Sequence, residues 1–230
     1  MIRLNIIVEG SCEEAFVKNL LVDHFSPLNI FVSARKIQTG WDSSRKKPAK
    51  GGLLKYSKFK NDVIRWIESD RCNQDCWYSS MVDLYKFPMG NESPYTQEIY
   101  NTQDKYLRVK LLEDAIFQDI GSDRFIPYVQ LHEFETFLLI DPDRLFFMYP
   151  DEKAGIRALI KEIRGMSQVE LINDTDTGAP SKRIIRHLPA YKDQKAQVGP
   201  LVAEDMGLDV LRKHCPHFDD WITKLEGLGT

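Results

Sequence analysis

The sequence predicts an α/β protein with a mostly parallel sheet flanked by helices and a helical C-terminal region. Apolar segments typical of buried strands alternate with segments of helical periodicity. Because parallel neighbours need long crossover connections, this alternation favours a doubly wound sheet. Beyond Pro142 the strand-like segments stop and helical segments follow one another. We therefore expect an α/β domain over residues 1–145 and a helical extension packed on it over residues 146–230.

The first strand and helix meet at a sharp turn. Ile6 to Val8 form a short β-branched run that ends at Glu9 and Gly10, and apolar residues recur at helical spacing from Phe16 onward. The other elements predicted in the α/β part are a strand at 30–37, a helix at 59–69, a strand at 76–85, a helix containing 109–120, and a strand from 125 that becomes helical after 131. The C-terminal helices are predicted at 154–164, 181–187, 201–206, 210–214 and 218–225, with an exposed loop at 173–180.

Composition excludes several classes of protein. The chain has 230 residues, 43% hydrophobic and 28% charged, which excludes disordered, collagen-like and repeat proteins. The sequence shows neither an apolar run of roughly 18 residues nor a basic segment followed by an apolar signal core. We therefore expect a cytoplasmic protein with no membrane partner and with its four cysteines as reduced thiols.

One segment of the chain is strongly basic although the formal net charge is −3. Residues 43–60 contain seven lysines and arginines and no acid. Such a segment can contact phosphates, and a solvated basic loop is the alternative. The candidate nucleic-acid-binding residues are Arg45, Lys46, Lys47, Lys50 and Lys55.

Acidic residues recur at three predicted strand ends. Glu9 follows the first strand, Asp83 ends the third, and Glu133 and Glu135 lie near the end of the last. Carboxylates at the carboxyl edge of a parallel sheet repel one another unless a cation neutralises them, and their hard oxygens suit Mg²⁺ or Mn²⁺. Such an ion can orient a phosphodiester and activate water. Taken singly, Glu9 is explained as a surface acid and Glu13 as a helix N-terminal acid.

The motif IIVEGSCEE, at residues 6–14, resembles the first motif of Toprim domains, which occur in primases, in type IA and type II topoisomerases and in OLD-type nucleases. The resemblance implies that Glu9 and Glu13 are metal ligands, or that Glu9 is an acid/base, and that Asp83 is the first acid of a DxD motif. Tyr85 stands where that motif has its second acid. The missing carboxylate would come from Glu133 or Glu135.

A wider set of motifs is similar to the bacterial family DUF4276. These motifs are VEGxxEexF, MVDLYKFP, LHEFETFLL, GAPSKRI and CPHFDDWITKLE, and they span nearly the whole chain. The resemblance implies a Toprim-like nuclease effector that works beside an ABC/AAA-type ATPase in phage defence. The sequence lacks a GxxxxGK[ST] phosphate loop, so a separate protein would hydrolyse the nucleotide.

OLD-type nucleases also use a lysine, which stabilises phosphoryl charge in the transition state. The resemblance makes Lys182, in GAPSKRI, the candidate, with Arg183 and Lys192 as alternatives. His132 ranks below the acids because a histidine at a strand end is more often structural. A zinc set of Cys72, Cys76, Cys215 and His217 is disfavoured because the spacing is not a zinc signature.

These residues support a divalent-metal-dependent nuclease acting on DNA or RNA. Its catalytic residues would be Glu9, Asp83 and Lys182, and its metal ligands Glu9, Glu13, Asp83, Glu133 and Glu135. The alternative is a non-catalytic Toprim-like module bound to an ATPase partner, which the incomplete DxD motif favours. A third hypothesis is a phosphohydrolase acting on a small nucleotide.

Overall fold

The computed structural model describes residues 1–37, 41–42, 47–48, 53, 55–90, 92–166, 168–172 and 177–229. Its strands are β1 (Ile2–Val8), β2 (Ile30–Lys36), β3 (Trp41–Asp42), β4 (Lys47–Pro48), β5 (Cys76–Asp83), β6 (Phe125–Ile126) and β7 (Val129–Gln130). Its α-helices are α1 (Ser11–Phe16), α2 (Val22–Phe25), α3 (Tyr56–Ser69), α4 (Gln97–Tyr100), α5 (Lys105–Ile120), α6 (Leu145–Met148), α7 (Lys153–Ile163), α8 (Pro180–His187), α9 (Tyr191–Met206), α10 (Leu208–His214) and α11 (Pro216–Glu226).

The main sheet is parallel, with the strand order β2-β1-β5-β6 and with β7 beside the end of β5. In the register, Ile6 lies opposite Ala34 of β2 and Ser79 of β5. The carboxyl ends of β1, β5 and β7 therefore meet at one edge. Strands β3 and β4 form a separate antiparallel pair. The predicted α/β class, the parallel sheet and the helical C-terminal region are confirmed.

Helices cover both faces of the sheet, which explains why most of β1 is buried. Leu4, Ile6 and Val8 of β1 belong to the core shared with α1 and the C-terminal helices. Ile7 belongs instead to the core shared with α3 and α5. This alternation along one strand is the period of two expected when successive side chains point to opposite faces.

The last helix of the chain packs directly on the sheet. Trp221 of α11 stacks on Tyr128, with ring centroids 4.3 Å apart, and its indole Nε1 donates a hydrogen bond to the Ser79 hydroxyl of β5 at 2.9 Å. One apolar core therefore runs from β1 to α11. A domain boundary near residue 145 stays a prediction, but residues on both sides of it share this core.

Two C-terminal predictions were wrong in detail. The Gly199–Pro200 pair suggested a helix beginning at Leu201, whereas α9 begins at Tyr191 and continues through both residues. Gly199 has a packing reason, because a Cβ at this position would lie 3.2 Å from the Phe134 ring. The loop at 173–180 was predicted to be exposed, but its last three residues, Gly178 to Pro180, are buried. Residues 173–176 of this loop lie outside the described residues. Among the described helices, none has both the length and the apolar character required to cross a membrane.

Candidate active site

Glu9 joins the ends of two strands. It follows β1, and its backbone N–H donates a hydrogen bond to the Met81 carbonyl of β5 at 3.2 Å. Its carboxylate accepts hydrogen bonds from the Asp83 N–H at 3.1 Å and from the Leu53 N–H at 3.0 Å. Burial raises the pKa of Glu9, and these two N–H donors oppose the rise. The carboxylate is therefore held at the carboxyl edge of the sheet.

Glu13 lies in the first turn of α1 and is 6% exposed. Its Oε2 accepts a hydrogen bond from the Gly10 N–H at 2.9 Å. A Cβ at residue 10 would lie 3.0 Å from the same oxygen, so glycine leaves room for this contact. Burial, followed by the charges of Glu9 and Glu135, raises the pKa of Glu13 to about 8. Glu13 is therefore a buried acid that titrates near neutral pH.

Asp83 is the last residue of β5, and its Oδ1 is buried without a hydrogen-bond partner in the structure as described. Burial raises its pKa well above the usual range, and the charges of Glu9, Glu13, Glu133 and Glu135 raise it further. A buried carboxylate oxygen without a donor is costly and requires either a proton or a cation. The structure therefore brings all five predicted acids into one electrostatic cluster.

Glu133 and Glu135 enter the cluster after a backbone kink. His132 is fully buried and has a φ of 69°, in the left-handed region that residues other than glycine rarely adopt. Glu133 accepts hydrogen bonds from both the N–H and the hydroxyl of Ser181, each at 2.9 Å. Burial and the Glu135 charge raise the pKa of Glu133. Glu133 thus anchors the start of α8 to the sheet edge.

Among the described residues, Lys195 is a cation that contacts the cluster, and it was not among the residues predicted from sequence. Its Nζ lies 2.9 Å from Glu135 Oε1, and the Tyr191 hydroxyl donates to the same oxygen at 3.3 Å. Burial tends to lower the pKa of Lys195, but the charges of Glu135 and Glu133 raise it above its usual range. Lys195 therefore stays protonated beside the acids. A spacing of four residues from Tyr191, on one face of α9, is the signal that could have revealed it.

The lysine predicted to act on phosphate lies elsewhere on α8. The Lys182 side chain is exposed, whereas the neighbouring Ser181 contacts Glu133. Of its two alternatives, Arg183 forms an ion pair with Glu162 at 2.5 Å, and Lys192 is exposed on α9. None of these side chains has a described contact with the five acids.

The acids do not form a closed metal shell in this arrangement. Across the part of the chain that the structure describes, no group of three or more His, Cys, Asp or Glu side chains is placed to hold a metal ion. Two of the acids bind side chains of the C-terminal helices, since Glu133 binds Ser181 and Glu135 binds Lys195. The hard oxygens of Glu9, Glu13 and Asp83 fit Mg²⁺ or Mn²⁺, which proteins often hold with one or two carboxylates plus water and substrate phosphates. The buried, unpartnered Asp83 Oδ1 supports this fit.

Most of the predicted nucleic-acid-binding segment is outside the described residues. This applies to Arg45, Lys46 and Lys50, while Lys47 is described only as part of the β4 backbone. Lys55 is exposed and precedes the first residue of α3.

The disfavoured zinc set has other surroundings. Cys76 and Cys215 are buried and Cys72 is exposed, and all of them are free thiols. The His217 ring nitrogen Nε2 lies 3.0 Å from Glu113 Oε1 and 3.2 Å from the Val129 carbonyl, so hydrogen bonds position this imidazole.

The fold and the edge geometry define an α/β protein with a carboxylate cluster at the carboxyl ends of its parallel strands. The chain belongs to the DUF4276 family, a domain of unknown function, whose family model matches residues 8–226. The predicted family is therefore confirmed, and the match includes all five acids and Lys195. Neither the curated proteins nor the solved structures contain a match to the chain.

Proposed function

We propose that this protein is a Mg²⁺- or Mn²⁺-dependent nuclease that hydrolyses phosphodiester bonds of DNA or RNA at the carboxyl edge of its sheet. The observation that carries the proposal is the buried cluster of acids around Asp83, whose Oδ1 lacks a partner among the described residues. Such a cluster raises the free energy of the protein unless a cation neutralises it. The resemblance of residues 6–14 to a Toprim motif adds a chemical precedent.

The residues of the site have separable roles. Glu9, Glu13 and Asp83 would hold the divalent ion, which when bound would polarise the phosphodiester and acidify the attacking water. Binding of the ion would displace the proton of Glu13, whose pKa is about 8 in the metal-free protein. Lys195 places a positive charge beside Glu135 that can stabilise charge developing on phosphate. Glu133 positions α8 through Ser181 rather than binding the ion.

The direct test is to incubate the purified protein with plasmid DNA and with total RNA, in Mg²⁺, in Mn²⁺ or in EDTA. We expect cleavage with the ions and none in EDTA. Glu14→Gln is the matched control, because Glu14 lies next to Glu13 but pairs with Lys18 and Lys36 at the surface. This control should cleave at the native rate. A native protein inert on both substrates would contradict the proposal.

Lys195→Met is expected to lower the cleavage rate by about 10- to 100-fold, because one positioned cation is lost from the site. The control variant is Lys224→Met, because Lys224 is an exposed lysine on α11. Loss of the ion pair with Glu135 also affects folding, so the melting temperature of each variant is measured in parallel. Lys195→Arg keeps a positive charge at this position and should recover part of the cleavage activity. If the cleavage rate falls in Lys182→Met but not in Lys195→Met, the lysine that stabilises the phosphate charge is Lys182, as the sequence predicted.

A non-catalytic module bound to an ATPase partner is the second candidate function. Tyr85 at the position of the second DxD acid favours it, as do the internal contacts of Glu133 and Glu135. A protein that cleaves neither substrate, and whose melting temperature does not respond to Mn²⁺, would support this alternative. In either case, an ABC/AAA-type ATPase and a role in phage defence belong to the proposal through the family resemblance.

A further inference from the structure

A cationic cavity of about 220 Å³ lies next to the carboxyl ends of β1 and β2. Its lining includes three basic side chains and one acid, so it is positively charged in a chain whose net charge is −3. Two of the cations come from β2 and one from α3. The lining residues are Ile7, Arg35, Lys36, Asp62, Arg65, Trp66 and Ser69.

Arg35 is held in place by an aromatic ring. Its guanidinium carbon lies 4.1 Å from the centroid of the Trp66 ring, and Trp66 itself is 6% exposed. Stacking on one face leaves the N–H donors at the edge of the guanidinium and its second face available. Within the described part of the chain, no group accepts a hydrogen bond from Arg35. A planar set of donors of this kind suits a phosphate group.

The cavity is close to the acids. In the sheet register, Arg35 lies opposite Ile7 and Lys36 lies opposite Val8, the residue before Glu9. Neighbouring strands are about 4.8 Å apart and the chain rises about 3.3 Å per residue, so the backbone of Arg35 lies within about 10 Å of that of Glu9.

Lys36 connects the cavity to the helix that carries Glu13. Its Nζ lies 3.0 Å from Glu14 Oε2 and 3.3 Å from the Ser11 hydroxyl, both in α1. A strand with one phosphodiester at the acids would therefore have a neighbouring phosphate within reach of this cavity.

We propose that this cavity binds a backbone phosphate of the same nucleic-acid strand that is cleaved at the acids, one or a few nucleotides from the scissile bond. Arg35 and Arg65 contact the phosphate, and the outer face of the Arg35 guanidinium stacks with the adjacent base. The inference rests on the proposed function, since it names the substrate contact beside the reacting site. It assigns substrate binding to described residues outside the basic segment 43–60.

The test measures binding without cleavage. A fluorescein-labelled single-stranded oligonucleotide of mixed sequence is titrated in EDTA at several salt concentrations, and fluorescence anisotropy is recorded. In a variant with Arg35→Gln and Arg65→Gln, affinity at moderate salt should fall roughly tenfold or more, and the slope of log K against log salt should fall by about 1.4. Arg65→Gln alone keeps the contact between Arg35 and the Trp66 ring and should lower the slope by about 0.7.

A control variant that loses the same number of positive charges elsewhere distinguishes binding at this cavity from general electrostatic attraction. Lys213→Gln and Lys224→Gln remove two positive charges from exposed positions on α10 and α11. The control should bind within about twofold of the native protein. Equal losses in the two double variants, or no loss in the cavity variant, would overturn the inference. If oligonucleotide binding depends on the cavity but the protein cleaves no substrate, the proposed phosphate site is supported and the proposed nuclease activity is refuted.

Discussion

Asp83→Asn is expected to abolish cleavage and, at the same time, to raise the melting temperature of the metal-free protein. Asparagine keeps the shape of the side chain but cannot ionise, whereas Asp83 must either hold a proton or carry a charge among four other acids. The cleavage rate should fall at least about 100-fold, since a carboxylate at the metal is lost. Removing the cost of burying this acid should raise the melting temperature by on the order of 5 °C at pH 8 in EDTA.

Both effects are needed to identify Asp83 as a site residue. Replacing a residue with a purely structural role lowers the stability of the protein. Replacing a functional acid that is buried at an energetic cost raises it. Asp114→Asn, at an exposed position on α5, is the matched control and should change neither quantity. Glu9→Gln should show the same loss of cleavage. Native cleavage by Asp83→Asn would place the chemistry elsewhere in the molecule.

The second large effect is a fall in the stability of the metal-free protein as pH rises from about 5 to 8. The pKa of Glu13 is about 8 in the folded protein and near 4.5 when the residue is unperturbed. Between these two values the folded state keeps a proton that the unfolded state releases, so the free energy of unfolding decreases with rising pH. The slope reaches at most about 1.4 kcal/mol per pH unit for this one proton.

Urea unfolding in EDTA across this pH range measures the effect. Glu13→Gln keeps an acceptor for the Gly10 N–H but has no proton to lose, so its profile should be flatter than that of the native protein. Glu14→Gln should follow the native profile, because the pKa of Glu14 is lowered and its titration falls below this range. Mn²⁺ added at pH 8 should restore stability to the native protein. Identical profiles for the native protein and Glu13→Gln would contradict the assignment.

The strands and their acids could be predicted from local sequence. A β-branched run before Glu9 and an apolar run ending at Asp83 specify buried strands, and parallel pairing then places both residues at one edge. Glu13 follows because it lies in the first turn of the next helix. These inferences need only the periodicity of each segment and the rule that parallel strands end together.

The cationic part of the site could not be predicted in this way. Lys195 contacts Glu135 only because α9 packs beside the sheet edge, and this packing depends on close approach at Gly199, where the sequence suggested a helix break. Lys182 was favoured by its motif, but the helix turns Ser181 toward Glu133 and leaves Lys182 in solvent. Which face of a helix meets its neighbour is decided by tertiary packing.

The late position of α9 has a consequence for synthesis on the ribosome. All five acids lie within the first 135 residues, but Lys195, which pairs with Glu135, comes much later in the chain, and Trp221 of α11 completes the packing around β5. A nascent chain that has emerged as far as Ile140 therefore carries the acids without the lysine that pairs with Glu135. Since chains emerge from the N-terminus, this ion pair forms only after α9 has been made. Any activity that needs Lys195 would therefore begin only after α9 has emerged and packed beside the acids.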